Sequence, residues 1–142
     1  MTANNNILII EFSNYEVKNI ERQLKNNSIS VPYFIANTSV EALCMIKGIN
    51  GYKKVEPEPK VILFSIYASE IDLINFVNQM KSETLCVNTR IFVLVDSVDE
   101  RTRVKRLKLN LAGCIVKPLV FNKHINSSSI DNLDLFMELA RS

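Results

Sequence analysis

Glycine occurs three times, proline four times and histidine once in 142 residues. So few chain breakers argue against long linkers. The stretch after the first apolar run, Phe12-Ser13-Asn14-Tyr15, has none of the glycines that cradle phosphate in a nucleotide-binding loop. A lone His124 makes neither a metal site nor a phosphorelay by itself. Cys44, Cys86 and Cys114 are odd in number, far apart and without a CxxC pair. They suggest neither a disulfide framework nor a zinc site and are expected as buried reduced thiols. No run approaches the roughly 20 apolar residues of a membrane span. The first residues, Met-Thr-Ala-Asn-Asn-Asn, lack a basic leader, so a cytoplasmic location is expected. A net charge of +2 is too small for bulk electrostatics to imply nucleic acid or an anionic membrane.

What is present has the balance of a globule, 47% hydrophobic and 23% charged. A chain of this length buries about two-thirds of its unfolded surface without staples, so residues 1–142 are expected to form one domain. Ile7-Leu8-Ile9-Ile10 and Val61-Ile62-Leu63-Phe64 are continuous apolar runs, which is how strands buried on both faces read; Ile91 to Val95 and Cys114-Ile115-Val116 behave alike. Tyr33 to Ala36 is a weaker strand beside Pro32, which suits a sheet edge.

Ser13 with Glu16, Thr38 with Glu41 and Ser97 with Glu100 form capping boxes. Apolar residues then recur at helical spacing: Val17, Ile20 and Leu24 over 14–26, Val40, Leu43 and Ile46 up to Gly48, and Val104, Leu107 and Leu111, with Asn110 as the left-handed stop. Asp72 is expected to cap a helix that carries Leu73, Phe76, Val77 and Met80, and Ile130, Leu133, Met137 and Ala140 mark the last. Residues 51–59, polar and proline-punctuated, read as a surface loop. Five strands alternating with five helices predict an α/β fold, a doubly wound five-stranded parallel sheet of order 2-1-3-4-5. Glu11, Phe12 and Ser65 would line the crevice between the carboxyl ends of strands 1 and 3, where such sheets place their ligands.

Over about residues 6–140 these features resemble the receiver domains of bacterial response regulators, in the single-domain form typified by the chemotaxis receiver. The likeness rests on Ile7 to Glu11, Val40-Glu41-Ala42-Leu43, Val61 to Ser65 and above all Cys114-Ile115-Val116-Lys117-Pro118. The intervals from Ser65 to Val95 and from Val95 to Lys117 match the family's register. The long loop before strand 3 is similar to that of receivers that partner bacterial phytochrome kinases. The resemblance implies a flavodoxin-like receiver fold. It also implies an aspartate acceptor at the position of Ser65, magnesium-holding acids at Glu11 and Phe12, a hydroxyl at Val95 and a phosphate-pairing lysine at Lys117.

This chain keeps only Glu11 and Lys117 of that set. A serine hydroxyl must be activated by a neighbouring base before it attacks, and a carboxylate beside a phenyl ring is a poor magnesium cradle. No metal, no cofactor and no enzymatic activity are therefore expected. Phe12 is expected to fill the vacated site with apolar surface, and Glu11 and Lys117 either remain from a working site or pair across the crevice. Asp96 is expected to point away from the direction of Val95.

On the fourth helix Arg101, Lys105 and Lys108 fall at i, i+4 and i+7, as a solvated face or as a docking ridge. The partners expected are an acidic protein, such as a sensor kinase or a downstream signalling protein, and a second copy through helices 4 and 5. Tyr52 and Tyr67 are loop aromatics that could anchor a partner. Nucleic acid is not expected, because aromatics do not interleave the basic residues. With the last helix ending at Ser142, no output domain is expected. The reading is a stand-alone pseudo-receiver that binds protein without aspartate phosphorylation. The alternatives are a receiver phosphorylated on a non-standard acceptor and a small-molecule sensor in the crevice.

Overall fold

The computed structural model describes residues 6–66, 70–118 and 133–141. Strands β1 (Ile7–Ile10), β2 (Tyr33–Ala36), β3 (Val61–Ser65), β4 (Arg90–Val95) and β5 (Gly113–Val116) alternate with helices α1 (Asn14–Asn26), α2 (Ser39–Lys47), α3 (Ile71–Ser82), α4 (Val98–Arg106) and α5 (Leu133–Arg141). All pairings are parallel and the order is β2-β1-β3-β4-β5, as the alternating runs predict. This is a doubly wound α/β architecture.

Strand periodicity divides the core in two. Leu8, Ile10, Ile62, Phe64, Ile91 and Val93 face Leu43, Ile46, Leu73, Phe76, Met80 and Val104 of α2, α3 and α4. Ile7, Ile9, Val61, Leu63, Phe92 and Leu94 face Ile20 and Leu24 of α1 and Phe136 and Ala140 of α5. An aromatic pair sits in each layer: Phe64 with Phe76 and Phe92 with Phe136, both with ring centroids 5.2 Å apart.

Several local expectations give way to tertiary demands. Asp72 does not cap α3; the helix begins at Ile71, two residues earlier than a cap at Asp72 implies, behind Glu70, which makes no side-chain cap bond. Asp72 instead accepts from Ser39 Oγ at 2.6 Å, joining the first turns of α2 and α3. Val40, placed on the apolar stripe of α2, is 69% exposed, and the buried face comprises Ala42, Leu43, Cys44 and Ile46. Helix α4 stops at Arg106 with Leu107 as its C-cap. Lys108, not Asn110, takes the left-handed conformation, at φ 54°. The early stop lets the chain drop to the sheet, where Ala112 N–H donates to Ile91 O at 2.8 Å.

On α5 the fully buried residues are Phe136 and Ala140, while Met137 is half-buried. The loop at 51–59 is not all surface, because Val55 is 3% exposed and Pro57 O accepts from Asn6 Nδ2 at 2.6 Å. Cys44 and Cys114 are buried free thiols, whereas Cys86 is only half-buried. Tyr67, His124 and Ile130 lie outside the described residues. Among the described residues no helix is long and apolar enough to cross a membrane.

Candidate functional site

Parallel pairing brings the crevice residues together. Ile10 is registered with Phe64, so the next residues, Glu11 and Ser65, stand side by side at the strand ends. Ser65 is also opposite Leu94, which places Val95 one step beyond it; Lys117 N–H donates to Val95 O at 2.8 Å, which seats the end of β5 beside them. Glu11, Ser65, Val95 and Lys117 therefore converge, as the doubly wound order requires.

Glu11 is 4% exposed and both its carboxylate oxygens are engaged. Oε1 accepts from Lys117 Nζ at 2.9 Å, and Oε2 accepts from Ser13 N–H at 3.1 Å. Desolvating a carboxylate this fully is costly unless an opposite charge and hydrogen bonds compensate it, and here both do. The bond to Ser13 is the return half of the α1 capping box, which Glu16 was expected to supply. Ser13 Oγ accepts from Glu16 N–H at 3.3 Å, while the Glu16 carboxylate lies 3.7 Å from Lys117 Nζ.

Asp96 does not point away as its strand-end alternation suggested. Its carboxylate is 3.9 Å from the same ammonium, although it is 75% exposed. Lys117 thus sits among three carboxylates. Sequence reasoning missed the role of Glu16, whose signal was its position one turn into α1, facing the crevice. A cavity of about 420 Å³ opens beside Lys117, lined by Glu16, Asn19, Gln23, Leu94 and Asp96.

Ser65 is 6% exposed and its Oγ has no hydrogen-bond partner among the described residues. Val95 is fully buried. Phe12 does not plug the crevice: it is 52% exposed. The residues present do not fit a magnesium ion of the kind receivers hold. The carboxylate at the first ligand position is committed to Lys117 and Ser13, the second position is an outward phenyl ring, and the acceptor is a hydroxyl. Mg²⁺ needs carboxylate and water oxygens in near-octahedral array; among the described residues no group of acidic side chains is arranged to hold a metal ion, and Glu11, Glu16 and Asp96 surround the Lys117 ammonium, whose charge opposes a cation there.

The basic ridge is shorter than helical spacing suggested. Arg101 is half-buried, Lys105 is exposed, and Lys108 has left the helix, so the three do not form one line. Arg103, one turn away, is drawn to the start of α3, where its Nε donates to Glu70 at 3.0 Å. That guanidinium holds the Glu70 carboxyl below its ordinary range. Tyr52 is 39% exposed and donates from its hydroxyl to Glu41 Oε2 at 3.1 Å.

No family model matches the chain, and no curated protein matches it in sequence. Solved structures do match it in fold. A two-component response regulator from Legionella pneumophila superposes with a TM-score of 0.74 at 24% identity, covering 94% of this chain and 98% of that one. The bacteriophytochrome response regulator AtBRR gives a TM-score of 0.76 at 18% identity, covering 97% and 94%. A phosphorylated cyanobacterial phytochrome response regulator, RcpA, gives 0.58 at 18% identity, covering 98% and 90%. At these identities the likeness is one of fold: the chain has the response-regulator receiver fold along nearly its whole length.

Proposed function

We propose that this chain is a pseudo-receiver, a non-enzymatic cytoplasmic signalling module that binds a protein partner without passing through a phosphorylated state. One observation carries the reading. The crevice lysine closes on a buried glutamate at 2.9 Å, at the strand end where the resemblance places a phosphate-pairing lysine. The remaining residues agree with it. Ser65 offers a buried hydroxyl in place of an ionised nucleophile, and no histidine among the described residues stands near it as a base. Val95 has no hydroxyl to follow a phosphoryl group, so a modification at this end would have nothing to move.

The test is chemical. The purified chain is incubated with acetyl phosphate and Mg²⁺ and weighed intact by mass spectrometry. The expected result is an unchanged mass; a phosphoryl adduct on any residue of the crevice, whether a hydroxylamine-labile acyl phosphate or a hydroxylamine-stable phosphoester on Ser65, would overturn the reading.

A further inference from the structure

The four helices α1 to α4 each follow a parallel strand, so their first turns all stand at one end of the molecule, the carboxyl end of the sheet. Two kinds of residue gather there. Acids open every one of these helices: Glu16, Glu41, Asp72, and Asp99 with Glu100. Bases close them: Lys25, Lys47, Lys81, and Arg103 with Lys105 and Arg106. A chain of net charge +2 is thereby polarised along the strand direction, acidic at the carboxyl end.

The helix dipole alone accounts for those charges. It does not account for the second kind of residue. Tyr15, Val40, Ile71 and Val98 stand in the same first turns with exposures of 73%, 69%, 66% and 57%. β-Branched residues are mediocre helix formers, and at such exposure they bury almost nothing, so they contribute little to folding.

The patch is also built. Ser39 Oγ donates to Asp72 Oδ1 at 2.6 Å, which ties the first turns of α2 and α3 together, and the exposed Val40 and Ile71 are the chain neighbours of that bonded pair. Glu70, at the head of α3, is paired at 3.0 Å with Arg103 in the last turn of α4, and the same guanidinium lies 3.8 Å from Glu100 in the first turn of α4, so the two helix starts are linked through Arg103. Exposed apolar residues on a pre-organised, charged frame mark an interaction surface rather than a solvated one.

We infer that the acidic, apolar rim formed by the first turns of α2, α3 and α4 is the docking surface, and that its occupant is a basic amphipathic segment of a partner protein. Apolar side chains of that segment meet Val40, Ile71 and Val98, and its lysines or arginines meet Asp72 and Asp99. A second copy of this chain fits less well. Its basic end is interrupted by acids, with Lys47 already paired to Glu83 at 2.7 Å, and a head-to-tail contact of that kind does not make a self-complementary two-fold dimer.

The inference rests on the interaction-module reading above but is tested separately. Two synthetic helices of roughly 18 residues, five turns, serve as probes: one of leucine and lysine, one of leucine and glutamate. Each is titrated into the full chain by fluorescence anisotropy. The leucine–lysine helix is expected to bind, more weakly as salt is raised, and the leucine–glutamate helix not to bind. The double variant Val40→Ser/Ile71→Ser should weaken binding at least tenfold. Val87→Ser, which alters a residue 68% exposed away from the rim, should leave it unchanged. Asp99→Lys, a surface change that keeps the apolar residues, should lower affinity for the basic probe and raise it for the acidic one.

Equal binding of both probes, or equal effects of the Val87 and Val40/Ile71 variants, overturns the inference. So does concentration-dependent self-association in sedimentation that the Val40/Ile71 variant abolishes, because it makes a second copy the occupant. An acetyl phosphate adduct with these binding results intact removes only the phosphorylation-independent reading; loss of probe binding without an adduct removes only the docking surface.

Discussion

Replacing Lys117 by methionine tests the central electrostatic claim. The substitution keeps most of the aliphatic stem and deletes the ammonium, leaving Glu11 4% exposed with Ser13 N–H as its remaining bond at 3.1 Å. Removing one partner of a buried pair typically costs about 3–5 kcal/mol, because the survivor is an uncompensated charge. The Ser13 bond and the 15% exposure of the lysine side chain soften this, so the lower end, about 3 kcal/mol, is expected here. For a domain of this size that corresponds to a fall in Tm of roughly 10 °C.

Urea and thermal unfolding followed by circular dichroism measure both, and an unchanged m-value checks that the two ends of the transition are unaltered. Adding Glu11→Gln in the Lys117→Met background removes the orphaned charge and should recover about half the loss, a coupling on the order of 1–2 kcal/mol. Asp96→Asn removes a carboxylate 75% exposed and 3.9 Å from the ammonium, and should cost less than about 0.5 kcal/mol. If Lys117→Met were as mild as Asp96→Asn, the pair would be an ordinary surface contact, and the argument that Glu11 is committed would fail.

Two further outcomes follow from the packing and the surface charges. Phe136→Ala removes a fully buried ring set edge-on to Phe92 at 5.2 Å and should destabilise the fold by about 3–4 kcal/mol in urea melts without altering binding at the opposite layer. The Lys47 ammonium and then the Gln79 amide hold the Glu83 carboxyl below its ordinary range. A carboxyl lowered in the folded state contributes stability above its unfolded pKa and loses it as pH falls through the folded one. Glu83→Gln should therefore lower Tm at pH 7, and the gap to the parent chain should close as the pH is taken below the carboxylate range.

Strand content was highly legible because strands buried on both faces are written as unbroken apolar runs, and Pro32 placed β2 at the edge. The errors share a cause. Periodicity assigned Val40 and Leu111 to helix interiors, but whether an apolar position faces the core depends on where the helix begins and which neighbour covers it. Asp72 has the chemistry of a cap and is used as a cross-helix acceptor because Ser39 lies within reach, a contact 33 residues away in sequence. Phe136 was overlooked because its importance comes from Phe92 across the layer. At the site, the register aligned Glu11, Ser65, Val95 and Lys117 correctly, while the orientations of Phe12, Glu16 and Asp96 depend on side-chain competition that spacing does not encode.

That competition also explains why the crevice holds a glutamate at all. At α2 and α4 the box glutamates reach back past the cap: Asn37 N–H donates to Glu41 Oε1 at 2.8 Å, and Asp96 N–H donates to Glu100 Oε1 at 3.0 Å. At α1 the cap residue Ser13 is served instead from the end of β1, by Glu11 at 3.1 Å. One carboxylate therefore closes the first turn of α1 with one oxygen and anchors the end of β5 through Lys117 with the other. Both duties are structural, and together they use both oxygens of the acid a receiver would lend to a metal. On the reading proposed above, a crevice occupied in joining β1, α1 and β5 would leave contact at the outer surface as the route of signalling, and the exposed apolar side chains of the helix first turns lie on that surface.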